Sequence, residues 1–215
     1  MNASFPFRER LLAALVIVLG VVAGCGGPGV ADWLEQLGST DAASRRQAAE
    51  RLAEEAPKTP EVVAALEKAT DDADPEVRRW GCRGLGRHKA KASLSQLEAK
   101  LKDPSPAVRR AAAFSLQLLA PDSTAYREEL ISGMKAGDGG ILVAIRGFEP
   151  PPAWAIPVLI ELTRDRRPGI RRLAVESLGE IAPAMEASRK ALEPLRRDPD
   201  DRVREAAAKV LDRRR

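Results

Sequence analysis

DPSPAVRRAAAFSLQLL, residues Asp103 to Leu119, reads as a turn followed by a helix-forming run, and weaker copies of it recur before and after. With Val108 as the anchor, the equivalent residues are Ser44, Val77, Gly140, Ile170 and Val203, at steps of 33, 31, 32, 30 and 33 residues. Eight residues past each anchor stands a large apolar residue: Leu52, Leu85, Leu116, Phe148, Leu178 and Leu211. Four past it stands a small one: Ala48, Gly81, Ala112, Ala144, Ala174 and Ala207. Agreement at two independent positions in six copies defines a repeat protein, in which each unit buries its apolar face against its neighbours.

Within a copy the apolar residues fall three and four apart, as in Val77, Trp80, Gly81, Gly84 and Leu85, which predicts a helix with one buried stripe. A second apolar face precedes it, Val62, Val63, Leu66 and Ala69, opened by Thr59-Pro60, a cap followed by proline at the first helical position. Each copy is therefore a helix pair. The first, with Trp33, Leu34 and Leu37 and then SRRQAAERLAEE, is polar at several core positions, as the end of an array requires. The prediction is an all-α solenoid of about six helix pairs over residues 31–215. A composition of 31% charged and only 4% aromatic residues suits a thin stack packed by Ala and Leu better than one compact globule.

An Asp-Pro turn with Val-Arg-Arg opening the second helix resembles HEAT repeats, specifically the short variety of the phycobilisome-lyase-like group. The residues that carry the resemblance are DPEVRRWGCRGLG (Asp74 to Gly86), DPSPAVRRAAAFSL (Asp103 to Leu116) and DPDDRVREAAAKVL (Asp198 to Leu211). It spans residues 31–212. The Trp, Gly and Tyr pattern of tetratricopeptide repeats and the T-P-L-H of ankyrin are missing. The resemblance implies a scaffold for an unknown protein partner, and it also admits a bilin lyase or isomerase.

Ahead of the repeats, Arg8 and Arg10 precede an apolar run of 12, Leu11 to Val22, which reads as a secretory signal and is short for a permanent span of about 20 residues. Val22-Ala23-Gly24-Cys25 resembles the bacterial lipoprotein signal. That resemblance implies a signal peptide over residues 1–24, cleavage after Gly24 and acylation of Cys25, with residues 25–30 as a Gly-rich linker. The expected address is the cell envelope, lipid-anchored to the inner or outer membrane with the domain outside the cytoplasm; Gly26 after the cysteine leaves outer-membrane sorting open. Five linker residues reach at most about 17 Å, so the first repeat would lie near the bilayer. Residues 26–72 carry ten acidic and five basic groups, net −5, which predicts an array projecting away from anionic headgroups.

One residue past the anchor run Arg45, Arg78, Arg109, Arg171 and Arg204, and the turn before carries Asp41, Asp74, Asp103, Asp165 and Asp198. Stacking predicts that these two columns pair as a structural ladder. A second basic column, Arg46, Arg79, Arg110 and Arg172, is either part of that ladder or a strip for an anionic ligand. Residues 73–215 carry 28 basic and 20 acidic groups, net +8, so an anionic envelope polymer is an alternative partner. The fourth copy departs from the pattern: Ile141 and Leu142 stand where the arginines should run, and Pro150-Pro151-Pro152 forces an extended connector. It is either a worn repeat that kinks the stack or an apolar notch, with Phe148 and Trp154, that docks a partner. In the first case arginines at 141 and 142 would restore the ladder.

No catalytic residues emerge. The single His88 and the non-lipidated Cys82 do not share a helical face, so His88 reads as a solvated end residue and Cys82 as a small buried hydrophobe. Glu128 with Glu129, and Asp71 with Asp72, are adjacent in sequence and do not converge. No spacing suits a metal or a cofactor. Export and the scarcity of stacking aromatics argue against nucleic acid, and export also argues against bilin chemistry.

Overall fold

The computed structural model describes residues 29–213, so the expected cleavage at Gly24 and acylation of Cys25 lie outside the described residues. Twelve α-helices and no strand occur among them, in six pairs. These are α1 (Val30–Gln36) with α2 (Ala42–Glu54), α3 (Pro60–Ala69) with α4 (Pro75–Arg87), and α5 (Leu94–Lys100) with α6 (Pro106–Leu119). Then come α7 (Arg127–Ala136) with α8 (Gly139–Ala144), α9 (Ile156–Leu162) with α10 (Pro168–Ile181), and α11 (Glu186–Leu192) with α12 (Asp201–Leu211). The fold is an all-α solenoid.

Helix starts follow the local chemistry. The Asp74 carboxylate accepts from the backbone N–H groups of Glu76 and Val77, and Asp200 does the same for Arg202 and Val203. Asp41 caps α2 through Ser44, and Thr59 caps α3 through Val62. Each such cap contributes about 1 kcal/mol. Pro60, Pro75, Pro106 and Pro168 open their helices where no N–H is needed.

The core is one long column, beside which Val77 packs in a small cluster with Ala49 and Ala69. Val77, Val108, Ile170 and Val203 are buried, as are Leu52, Leu85, Leu116, Leu178 and Leu211 eight residues past each anchor. Second helices pack on one another from α2 through α4 to α6 and again from α8 through α10 to α12. The small positions set the spacing: Ala48, Ala112, Ala174 and Ala207 are fully buried. At Gly81 a Cβ would stand 2.8 Å from the Thr70 nitrogen and 2.9 Å from the Leu66 oxygen, so only glycine lets the end of α3 come this close to α4. Gly86 likewise lies against Ser115, whose hydroxyl donates to the Cys82 carbonyl at 2.8 Å and ties α6 to α4.

Two expectations are corrected. His88 is not solvated: it is 6% exposed, and its Nε2 lies 3.0 Å from the Leu52 carbonyl oxygen, which makes that nitrogen the donor. The fourth copy anchors at Ile141, not Gly140. Asp138 caps α8 by accepting from Gly140 and Ile141, as Asp74 does from Glu76 and Val77, so Ile141 takes the place of Val77. α8 then ends after six residues in a 3₁₀ turn, Ile145–Gly147, and Phe148 reaches the core seven residues past the anchor instead of eight.

Candidate binding site

Four of the five arginines one past the anchor hold two things, the carbonyls of their own turn and a carboxylate of the next repeat. Arg78 donates through Nη1 to the carbonyls of Asp72 and Ala73 in its own turn, and through Nε and Nη2 to both oxygens of Asp103 in the next turn, at 2.8 and 3.0 Å. Arg171 does the same with Asp165 and Arg166 carbonyls and with Asp198, at 2.8 and 2.7 Å. Arg45 reaches Asp72. Arg109 finds Glu129 of α7 at 3.1 Å instead of an aspartate, and Arg204, in the last pair, keeps only the Asp198 and Pro199 carbonyls. The carboxylates respond to their partners: Arg171 holds Asp198 below the usual carboxylate range, and Arg45 does so for Asp72.

Asp74 does not belong to this column. It lies three residues before its anchor, caps α4, and pairs with Arg46 of the second column at 2.9 and 2.5 Å, which lowers its pKa to about 2. The aspartate five before the anchor, Asp72, forms the rung, as do Asp103 and Asp198. Asp165 stands in that column too, but Leu142 precedes it in the ladder and is fully buried. Its carboxylate is taken instead by Arg167 at 2.9 Å and falls to about 2.

With the corrected anchor, the fourth copy presents Leu142 and Val143 where the arginine columns run. Ile141 and Leu142 are 1% and 0% exposed, Phe148 is buried, and Trp154 is half-buried against Tyr126, their rings 6.2 Å apart. None of these forms an open notch: an arginine at 141 or 142 would enter the core, not extend the ladder. The open apolar surface lies one repeat earlier. α8 is so short that it barely touches α6, and the outward face of α6 is left uncovered there. Leu118 is 65% exposed, and Phe114 packs edge-on against Phe148 with centroids 5.9 Å apart.

A groove of about 520 Å³ results, floored by Phe114, Leu118, Ala111 and Ala144 and flanked by Arg79, Arg83, Arg87 and Arg110. The guanidinium groups of Arg79 and Arg83 lie over the Trp80 ring at 4.3 and 5.0 Å, a cation–π arrangement that holds them at the rim. Of the second column, Arg79 also bonds Glu76 and Arg110 pairs with Asp138 at 3.2 Å, while Arg172 is tied to Glu176 on its own helix. Arg79 and Arg110 thus share a site that Arg172 does not.

The groove residues stand outside the repeat pattern, which is carried by the anchor and the positions one, two, four and eight past it. Six and ten past the anchor the other long second helices carry charges: Glu50 and Glu54, Arg83 and Arg87, Glu176 and Glu180. Only α6 has Phe114 and Leu118 there. Among the described residues no group of three or more His, Cys, Asp or Glu is placed to hold a metal ion. Cys82 is fully buried, and burial pushes its thiol up to about 12.

Comparison with known proteins agrees on the architecture. A designed armadillo repeat protein is 19% identical over 86% of this chain and 99% of its own, with a TM-score of 0.56. The complex of CpcE and CpcF of phycocyanin lyase from Nostoc sp. PCC7120 is 19% identical over 98% of this chain and 80% of its own, with a TM-score of 0.57. A second designed armadillo protein, in complex with the peptide (KR)4, is 18% identical over 86% and 100%, with a TM-score of 0.57. These likenesses concern the fold alone. No curated protein matches the sequence. HEAT repeats match residues 30–117 and 141–212, leaving out the stretch that holds α7, and on that match the chain belongs to the HEAT-repeat family.

Proposed function

We propose that this chain is a non-catalytic HEAT-repeat lipoprotein, acylated on Cys25, that displays its second-helix face to a protein partner in the cell envelope. The observation that carries the binding half is the groove beside α6, an exposed apolar floor within a stack whose other charged columns are clamped to one another. Its partnered, half-buried ladder makes the array a stiff frame for that surface. The designed armadillo protein of similar fold is in complex with the peptide (KR)4; here the flanks are arginines, so the partner chemistry is reversed. Cys82 and His88 are engaged in the core, which favours binding over covalent chemistry. The anchor half rests on the residues Val22 to Cys25 and on the Gly-rich linker.

Two measurements test this. Labelled palmitate should enter the full chain in a bacterial host and vanish with Cys25→Ser, which should also release the protein from membranes; unchanged membrane attachment in that variant would remove the lipoprotein reading. A photoreactive residue at position 118 should crosslink a specific envelope protein, and one at position 202 should not. The likeness to the CpcE and CpcF complex keeps one alternative in view, a bilin-handling protein. A colourless purified chain that captures no added bilin would eliminate it.

A further inference from the structure

We propose that the α6 groove binds an acidic peptide segment carrying one large apolar side chain; this rests on the scaffold reading and specifies its partner. The floor is Phe114 and Leu118, the latter 65% exposed where every other long second helix is charged. A side chain that covers Leu118 removes an exposed leucine from water and extends the Phe114–Phe148 edge contact. The walls hold four guanidinium groups, and no carboxylate lines the groove.

The neighbouring carboxylates leave that field positive. Arg83 and Arg87 share a single carboxylate, Glu54, at 2.8 and 3.1 Å, and both are half exposed. Two guanidinium groups therefore face one acid, and each keeps donors free. Arg79, fixed over Trp80, is paired with Glu76, and Arg110, which closes the far side of the groove, is paired with Asp138 at 3.2 Å, so four guanidinium groups stand against three carboxylates. A basic segment would set like charges against these walls, and an uncharged one would leave unused the donors that Arg83 and Arg87 keep beside their shared Glu54. An acidic segment can take bidentate hydrogen bonds from Arg83 and Arg87 while its apolar residue fills the floor.

The test uses the full chain in detergent micelles and a fluorescent heptapeptide, EDEFEDE, followed by anisotropy. Binding should weaken as salt rises and be about tenfold weaker for EDEAEDE, the loss of one buried aromatic side chain. Leu118→Ser should weaken it about fivefold, and Arg83→Glu with Arg87→Glu should abolish it. Leu118→Ser should melt as the parent does by circular dichroism, and because the two glutamates would crowd Glu54, Arg83→Gln with Arg87→Gln is measured beside them and should also weaken binding about tenfold or more. Equal affinity for EDEFEDE and EDEAEDE, or no binding of either, overturns the proposal. So does inorganic polyphosphate that displaces the peptide while Leu118→Ser has no effect, an outcome that assigns the surface to a polyanion. Crosslinking separates this from the broader reading: an envelope protein captured at 202 and not at 118, with no peptide binding, removes the groove and keeps the scaffold, whereas capture at neither position removes both.

Discussion

Arg167 stands in for the rung that Leu142 cannot make: its Nη1 donates to the Ala136 carbonyl at 2.9 Å while its Nε and Nη2 hold Asp165. The guanidinium thus joins the fifth turn back to the end of α7, in the direction opposite to every other rung. Gly137 makes room for it. That residue has φ +84°, and a Cβ on it would lie 2.2 Å from Arg167 Nη1.

This substitution for a rung predicts a sharp asymmetry. Arg167→Ala should cost about 1–3 kcal/mol in urea unfolding, the value of charge-assisted hydrogen bonds left unmade. Gly137→Ala should cost a similar amount by displacing the same guanidinium and by straining a left-handed backbone. Leu142→Arg, which the repeat pattern alone would recommend, should destabilise by about 3 kcal/mol or more, since it places a charge at a fully buried site. A Leu142→Arg variant as stable as the parent would mean that the fourth copy can rejoin the ladder.

Gly81→Ala should lose about 2–3 kcal/mol, although alanine fills the equivalent buried site at positions 48, 112, 174 and 207. The added methyl meets backbone atoms of α3, not a side chain that could rotate away. Thermal unfolding followed by circular dichroism would check it. A neutral result would show that α3 can slide outward.

Much of this was legible in the chain. Val77, Val108, Ile170 and Val203 and the leucines eight residues on are where periodicity places them, because a 3.6-residue repeat within a unit and a fixed step between units constrain the same residues twice. The fourth copy was misread by one residue. Gly140 and Phe148 satisfied the template numerically, but a helix that ends in a 3₁₀ turn changes phase, and only the cap from Asp138 fixes the start. In Asp71-Asp72-Ala73-Asp74 the Asp74-Pro75 match to Asp103-Pro104 and Asp198-Pro199 points to the wrong aspartate: the rung lies five before the anchor, at Asp72, and Asp74, three before it, is the cap. The groove was hidden for another reason. Phe114 and Leu118 look like core residues in a hydrophobic run, and their exposure follows from the shortness of α8, a helix in a different repeat.

Acid should loosen the stack before it unfolds an ordinary helical protein. Arg46 and Arg167 depress the carboxyls of Asp74 and Asp165 from the ordinary 3.8 to about 2. A depressed folded-state pKa contributes stability that is fully present above the unfolded value and is lost as pH falls through the folded one. The melting temperature should therefore decline between pH 4 and pH 2 as these two protonate. Asp165→Asn should lower the melting temperature at neutral pH and flatten that decline. An unchanged slope in the variant would show that Asp165 carries no linked stability.

Rungs of different make-up should differ in worth, and the last repeat supplies the comparison. Arg78 and Arg204 hold the two carbonyls of their own turns in the same way, at 2.9 and 2.9 Å for Arg78 and 2.8 and 3.1 Å for Arg204. Arg78 adds both oxygens of Asp103, which is 5% exposed, whereas Arg204 has only a loose approach of 3.7 Å to the exposed Asp201. Removing Arg78 leaves a nearly buried carboxylate unpaired and should cost about 3 kcal/mol or more; removing Arg204 breaks turn contacts alone and should cost about 1 kcal/mol. Arg78→Lys should recover little, since an ammonium cannot span two carbonyls and a carboxylate from one planar fork. Denaturant titrations of Arg78→Ala, Arg78→Lys and Arg204→Ala would decide it. Equal losses for the two alanine variants would place the strength of the ladder in the turns, and the carboxylates would then serve only to set the rotation between repeats.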